Sequence, residues 1–373
     1  MIGNRLVSLS HISNSIELFS MNEETSLFLK YLRGFSILTI ILMHCGLSYC
    51  YEPYSQFLQV VIPIFFFASG AVSVLSFKKS NSLLSYYKKR LLGIFMPYYF
   101  FLVLVFLLYV YIYKSLPDLT LWNIYCYLTI LPNAIIPPAK ILSHLWFLHD
   151  LWFVILLSPF LICTAIIRGY LDWIVALLLL LFSVPFIINC SYDFFVILGH
   201  DLLSPLLYSL FFLYGILFVL HKLSTKILFS VVIFSIFICF LCYSLFSFEL
   251  SLLHHKHPPD IFFNSFGLGL ISIVLLLKSK ILSFIKNNSF FHLALIFLWK
   301  HTFAIYLLHI PVLIFYYYNI LPFLHLDTED IVVYGLVRIF FVVFVTCLLS
   351  PVFSYMTRNI NNLMWRTLRV PNK

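Results

Sequence analysis

The sequence predicts an all-α polytopic membrane protein with about ten transmembrane helices and both termini in the cytoplasm. Composition is the first observation behind this. Of 373 residues, 62% are hydrophobic and only 10% charged, against roughly a quarter charged in a soluble domain. So few charges cannot cover the surface of a soluble fold this long, which excludes a cytosolic enzyme, a secreted disulfide scaffold and a disordered regulator. Second, the apolar residues gather in runs near the roughly 20 residues that a hydrocarbon core of about 30 Å requires. Third, the strict period-2 alternation of an outer-membrane barrel is missing.

Ten spans follow from the polar breaks: residues 32–50, 58–77, 91–113, 143–166, 173–190, 202–220, 227–248, 261–277, 302–320 and 331–355. The stretch 281–299 is apolar too, but Lys286, Asn287, Asn288 and His292 interrupt it, so it reads as a cytoplasmic or interfacial helix. Residues 1–29 carry Glu17, Glu23 and Glu24 and lack an apolar core followed by a small-residue cleavage site. They read as a cytoplasmic segment rather than a signal peptide. Residues 30–357 then form one multispan domain, and 358–373 a basic cytoplasmic tail.

Lysine and arginine placement sets the orientation. With the N-terminus inside and the spans alternating, 19 of the 23 basic residues fall on the cytoplasmic side. Lys114, Lys140 and Lys256 fall outside, and Arg338 lies within the last span. A wrong span count would scramble this partition. The net charge of +9 is therefore a topology signal and not a nucleic-acid footprint, since no basic run exceeds the three residues from Lys88 to Arg90. The eight cysteines are scattered without metal-ligand spacing, and read as buried free thiols.

Ionisable groups at membrane depth are costly, so each is a functional candidate. Arg33 and His44 lie eleven residues apart in LRGFSILTIILMHCG, within about 20° of three full helical turns and roughly 16 Å apart along the axis. The pair places an anion anchor at the cytoplasmic mouth and a titratable group in the interior. The alternative is a snorkelling arginine and a histidine that bonds a neighbouring helix. Asp150 and Arg338 each lie about seven residues inside the outer ends of their spans. They are expected to pair or to line one outer cavity.

The LRG start, and the arginine and histidine spaced as above, resemble the membrane acyltransferase-3 family, multispan O-acyltransferases that modify sugars of bacterial surface glycans. VIPIFFFASGA (61–71), KKRLLGIFMPYY (88–99), HLWFLHDLW (144–152) and FAIYLLHIPV (303–312) resemble further family stretches, in the same order. HKHPPDIFFNSFGLG (255–269) is similar to a Pro-Pro-Asp loop of one subgroup. The chain departs at Gly93, where members often carry a second arginine, and at Ala71, where an aromatic is common.

The resemblance implies transfer of an acyl group, usually acetyl, from acyl-CoA to a hydroxyl of a glycan or lipid-linked sugar at the bacterial inner membrane. No permanently bound cofactor is implied; acetyl-CoA is the donor substrate. Arg33, Arg90 and Lys88 or Lys89 suit its phosphates. The neutral imidazole of His44, with an ordinary pKa of about 6.5, suits a general base that takes the sugar hydroxyl's proton. Ser69 as a covalent acyl carrier is the competing mechanism; Ser69–Gly70 also reads as a small-residue helix contact. His309 is read as binding substrate, stabilising the oxyanion or orienting His44, or else as capping backbone freed by Pro311. His144 and Trp146 suit a sugar at the outer mouth of the fourth span, though Trp146 also fits an interfacial aromatic belt. His254, His255 and His257 lack a defined fourth ligand for a metal, so their loop reads as a substrate contact, with Asp260 available to a hydroxyl. A transporter or flippase for a glycan precursor is the alternative function. The paired halves common in transporters are not found in this sequence, and the carboxylates and large outer loops of a membrane glycosyltransferase are scarce.

Overall fold

A computed structural model describes residues 21–47, 54–117, 119–131, 142–167, 195–221, 223–324 and 331–367. The described chain is almost wholly helical. In order, the elements are α1 (Glu23–Leu42), a π turn (Met43–Leu47), a 3-10 turn (Tyr54–Val60), α2 (Val61–Lys78), α3 (Leu83–Tyr113) and α4 (Leu121–Thr129). A 3-10 turn (Ser143–Leu145) leads into α5 (Trp146–Ile167), and a two-residue hairpin of β1 (Val196–Ile197) and β2 (His200–Asp201) precedes α6 (Leu203–His221). Then come α7 (Thr225–Phe246), α8 (Ile261–Leu276), α9 (Lys278–Lys286), α10 (Ser289–Phe315), a second π turn (Tyr316–Ile320), α11 (Leu321–Leu324) and α12 (Ile331–Thr367).

Eight of these helices are long and apolar enough to cross a membrane, and α8 with α9, bent by 61°, makes a ninth as a broken span. They match nine of the ten expected spans, and the expected span 173–190 lies outside the described residues. The chain is a multi-pass membrane protein.

Three boundaries differ from the sequence expectation. α1 starts at Glu23, well before residue 32, because the Asn22 side chain accepts from the Thr25 amide at 2.9 Å and two glutamates occupy the first turn. The polar break after the eighth span is narrower than expected. α9 ends at Lys286, and α10 runs unbroken from Ser289, so most of 281–299 belongs to the membrane helix α10. α12 continues through Pro351 to Thr367.

Two prolines are accommodated by one device. A proline inside a helix strands the carbonyl four residues earlier, which hydrocarbon does not tolerate. Before Pro159, the Ser158 hydroxyl donates to the Ile155 carbonyl at 2.6 Å; before Pro351, Ser350 donates to the Cys347 carbonyl at 3.1 Å. In each case the acceptor is the carbonyl that the proline left.

The described residues divide into two compact units. The first takes the described parts of Met1–Arg33, Val60–Tyr87 and Phe153–His292. Its centre is α6, 83% buried, whereas the neighbouring α7 is only 28% buried and turns Phe229, Ile233, Phe237 and Phe240 outward. Lipid is the solvent for that face. Helices attract one another weakly in lipid, so close packing needs small residues at the contact. Gly70 on α2 lies against the Phe212 backbone of α6, and Gly215 on α6 against the Phe67 backbone of α2. Phe66 stacks on Tyr208 beside them at 4.8 Å, and the Tyr214 hydroxyl bonds Ser272 on α8 at 2.8 Å.

The second unit takes the described parts of Gly34–Gln59, Lys88–Trp152 and Leu293–Lys373. On α12 the buried Arg338, Val342, Thr346, Ser350 and Phe353 share one face, while Leu336, Phe340, Phe344, Leu348 and Val352 are exposed on the other. The 3.6-residue period sorts the two faces between protein and lipid.

Substituting Gly215→Ala would force its new methyl group into the Phe67 carbonyl, and should destabilise by about 1–3 kcal/mol. Gly93→Ala on α3, where nothing lies within 4 Å, should be neutral or stabilise by about 0.5–1 kcal/mol. Thermal unfolding of the detergent-solubilised protein measures both.

Candidate active site

The second unit gathers three histidines from three elements. His44 sits in the π turn that ends α1, His309 on α10, and His144 in the 3-10 turn before α5. His44 Nδ1 lies 2.7 Å from His309 Nε2 with the rings within 3° of parallel. The His144 ring packs edge-on to His309, centroids 5.1 Å apart. His309 and His144 are buried, while His44 is exposed. Tyr306, one turn before His309, donates its hydroxyl to the His144 backbone carbonyl and packs its ring on His144 at 5.2 Å. One side chain of α10 thus anchors the turn that presents His144 to another.

The proton positions follow from one acceptor. His309 Nδ1 faces the Ile305 carbonyl at 3.3 Å, and a carbonyl can only accept. Nδ1 therefore bears the hydrogen, and in the neutral ring Nε2 carries the lone pair. His44 must then donate from Nδ1, which leaves its own Nε2 as the basic nitrogen. This is the tautomer a general base needs.

The helix kinks within Met43–Leu47, where Gly46 takes a non-helical φ of +99°, which favours glycine. The spacing argument for Arg33 and His44 assumes a regular helix; that holds to Leu42 and fails at the last two residues.

Arg338 and Asp150 do not pair. The guanidinium is engaged elsewhere, Nε donating to the Cys45 carbonyl at 2.5 Å and Nη1 to the Tyr317 hydroxyl at 2.6 Å. Asp150, also buried, holds its Oδ1 3.0 Å from His149 Nδ1. Helix counting placed both residues at similar depth, but depth alone does not set direction around the helix. Trp146 opens α5, half-buried, its ring edge-on to Phe147.

The expected donor-binding cations are divided. In the first unit the Arg33 guanidinium lies 5.4 Å from the centre of the Phe65 ring. In the second, Lys88 and Arg90 are half-buried on α3 and Lys89 is exposed. Ser69, half-buried on α2, precedes the Gly70 contact described above, which is the small-residue reading of that dipeptide.

Asp260 is an N-cap, not a spare acceptor. Its Oδ1 accepts from the Phe263 amide at 2.9 Å and Oδ2 is bonded to His255 Nδ1. His255 Nε2 donates to the Glu249 carbonyl at 2.9 Å, and His254 Nδ1 lies 2.7 Å from the Glu249 carboxylate. Among the described residues no group of three or more His, Cys, Asp or Glu is placed to hold a metal ion. Sequence reading gave no role to Tyr317, nor to Tyr306 and Gly46 although both lie in stretches quoted above; a glycine just after the polar end of an apolar run was the available signal for the last.

Comparison with known families matches residues 26–355 to the model of an acyltransferase domain, acyltransferase-3. No curated protein and no solved structure matches the chain.

The loop histidine generates a prediction for pH. Burial works against a charge on His255, but the hydrogen bond and charge of Asp260, with the Glu249 contacts, outweigh it and raise the pKa above the ordinary 6.5. A raised pKa in the folded state stabilises fully below the unfolded value and is lost as pH rises through the folded one. The melting temperature should therefore fall as the pH is taken upward past about 6.5. The His255→Gln variant should flatten that slope, which thermal unfolding at a series of pH values reads directly.

Proposed function

The chain belongs to the acyltransferase-3 family, and from that premise we propose that this membrane acyltransferase moves an acetyl group from acetyl-CoA to a hydroxyl of a cell-surface glycan or lipid-linked sugar, at the bacterial inner membrane. The observation that carries the reading is the hydrogen-bond chain from the Ile305 carbonyl through His309 to His44, which leaves the lone pair on His44 Nε2 and so supports it as the base.

The chemistry balances on that one nitrogen. The sugar hydroxyl oxygen attacks the thioester carbonyl carbon while its proton passes to His44 Nε2. The new C–O bond forms, the C–S bond breaks, and the proton returns to the departing sulfur to give the free thiol. His309 is then a positioning residue: it fixes the tautomer and ring angle of His44 and stabilises the transient imidazolium by hydrogen bonding. Nothing in this scheme calls for a covalent acyl-serine, and Ser69 is assigned to packing.

The remaining groups have suitable chemistry. Arg33, Arg90, Lys88 and Lys89 offer cations for the donor's phosphates. The indole of Trp146 offers a flat face to a sugar ring, and His144 offers a polar group beside His309. A donor approaching from the cytoplasm accords with the lysine and arginine bias.

Membranes of the native cells, bearing wild-type or His44→Ala protein at matched levels, are supplied with radiolabelled acetyl-CoA, and surface glycan is examined by mass spectrometry. His44→Ala should lower transfer by roughly 10²–10⁴-fold, the usual worth of a general base, and remove the acetyl mass increment. Retained acetylation overturns the assignment of His44. An unmodified glycan whose export falls in the variant overturns the enzymatic reading in favour of a transporter.

A further inference from the structure

Both helices that carry the central histidine pair end in a π turn: Met43–Leu47 holds His44, and Tyr316–Ile320 follows α10 with His309. Each is a local departure from the regular α-helix, the first kinked at Gly46, and such departures are frequent where function demands them. Two of them must keep register for a 2.7 Å bond between His44 and His309 to persist. The geometry assigns that task to Arg338, resting on the reading of His44 as base: we propose that its guanidinium is a positioning group that ties the two turns together.

The fork spans both turns. Nε donates to the Cys45 carbonyl, the residue next to His44, at 2.5 Å, and Nη1 to the hydroxyl of Tyr317 in the second turn at 2.6 Å. The planar cation also lies over Tyr334, one turn back on its own helix, and over Tyr317, at 5.3 and 6.0 Å from the ring centres. It occupies the space where a side chain at position 46 would begin, so Gly46 is needed both for its φ of +99° and for this approach.

The choice of residue argues against mere packing. Arg338 is 8% exposed, and no carboxylate among the described residues forms an ion pair with it. Among the described residues the cation is met by neutral oxygens and aromatic rings, and a cation so placed is a costly way to fill space. What a guanidinium supplies, and an ammonium does not, is two donors in a rigid plane that address two acceptors at once.

The test uses full-length protein in native membranes, with radiolabelled acetyl-CoA as donor, the membranes' own acceptor, and turnover and KM for acetyl-CoA measured separately. Arg338→Lys should cut turnover about tenfold or more with KM within about twofold, because only the geometry at the reacting atoms changes. Tyr317→Phe removes one acceptor and keeps the ring, and should cut turnover about threefold or more with the melting temperature preserved. A folded Arg338→Lys protein with wild-type turnover, a loss confined to KM, or unchanged turnover in folded Tyr317→Phe overturns the proposal. If Arg338→Lys fails to fold, Tyr317→Phe alone decides. His44→Ala, run in parallel, separates the two failures: an inactive His44→Ala beside fully active Arg338 and Tyr317 variants sinks the positioning role only. An active His44→Ala sinks the base itself and the positioning role with it.

Discussion

In a medium without water, a donor must find an acceptor within the protein, and the direction of each hydrogen bond becomes a structural decision. The Ile305 carbonyl makes such a decision here. It takes the hydrogen of His309 Nδ1, which turns the lone pair of Nε2 toward His44 and obliges His44 to donate in turn. The net stability from one such bond is on the order of 1 kcal/mol. Its weight lies in the proton order it imposes across two rings, because exchanging the tautomers would break a bond at each link.

The same economy runs through the scaffold. Apolar side chains gain little by leaving lipid for one another, so the helices of the first unit come together through backbone approach at Gly70 and Gly215 and through hydroxyl pairs such as Tyr214 with Ser272. Ser158 and Ser350 repair the carbonyls that Pro159 and Pro351 strand. In the second unit Arg338 does for two π turns what those serines do for a kinked helix, with a guanidinium because two acceptors need two donors and a hydroxyl has one. Stability and positioning are supplied by polar contacts, and the large apolar area mainly decides which face meets lipid.

Much of the site was legible as residue types at membrane depth. His44 and His309 stood out because an imidazole inside an apolar run needs a partner, and each proved to be the other's. His144 was read as a sugar contact at the outer mouth; its ring packs on His309, and Tyr306 donates to its carbonyl, a placement that span counting does not give. Asp260 was read as a substrate contact although an aspartate directly before an apolar helical run is also an N-cap signal, and the cap is what forms. Arg338 and Asp150 show the limit of depth counting, which places a residue along a helix axis but not across from a chosen partner.

By itself the sequence determined the helical class, the placement of nine described spans and the chemistry on offer, because hydropathy and the cost of buried charge act over short stretches of chain. Tertiary structure alone decided which histidine nitrogen is basic, that His144 joins the pair, and that Arg338 bonds Cys45 and Tyr317 rather than Asp150. Those facts hang on hydrogen-bond direction and on two local departures from helical period, and they join residues as far apart as His44 and His309 or Cys45 and Arg338.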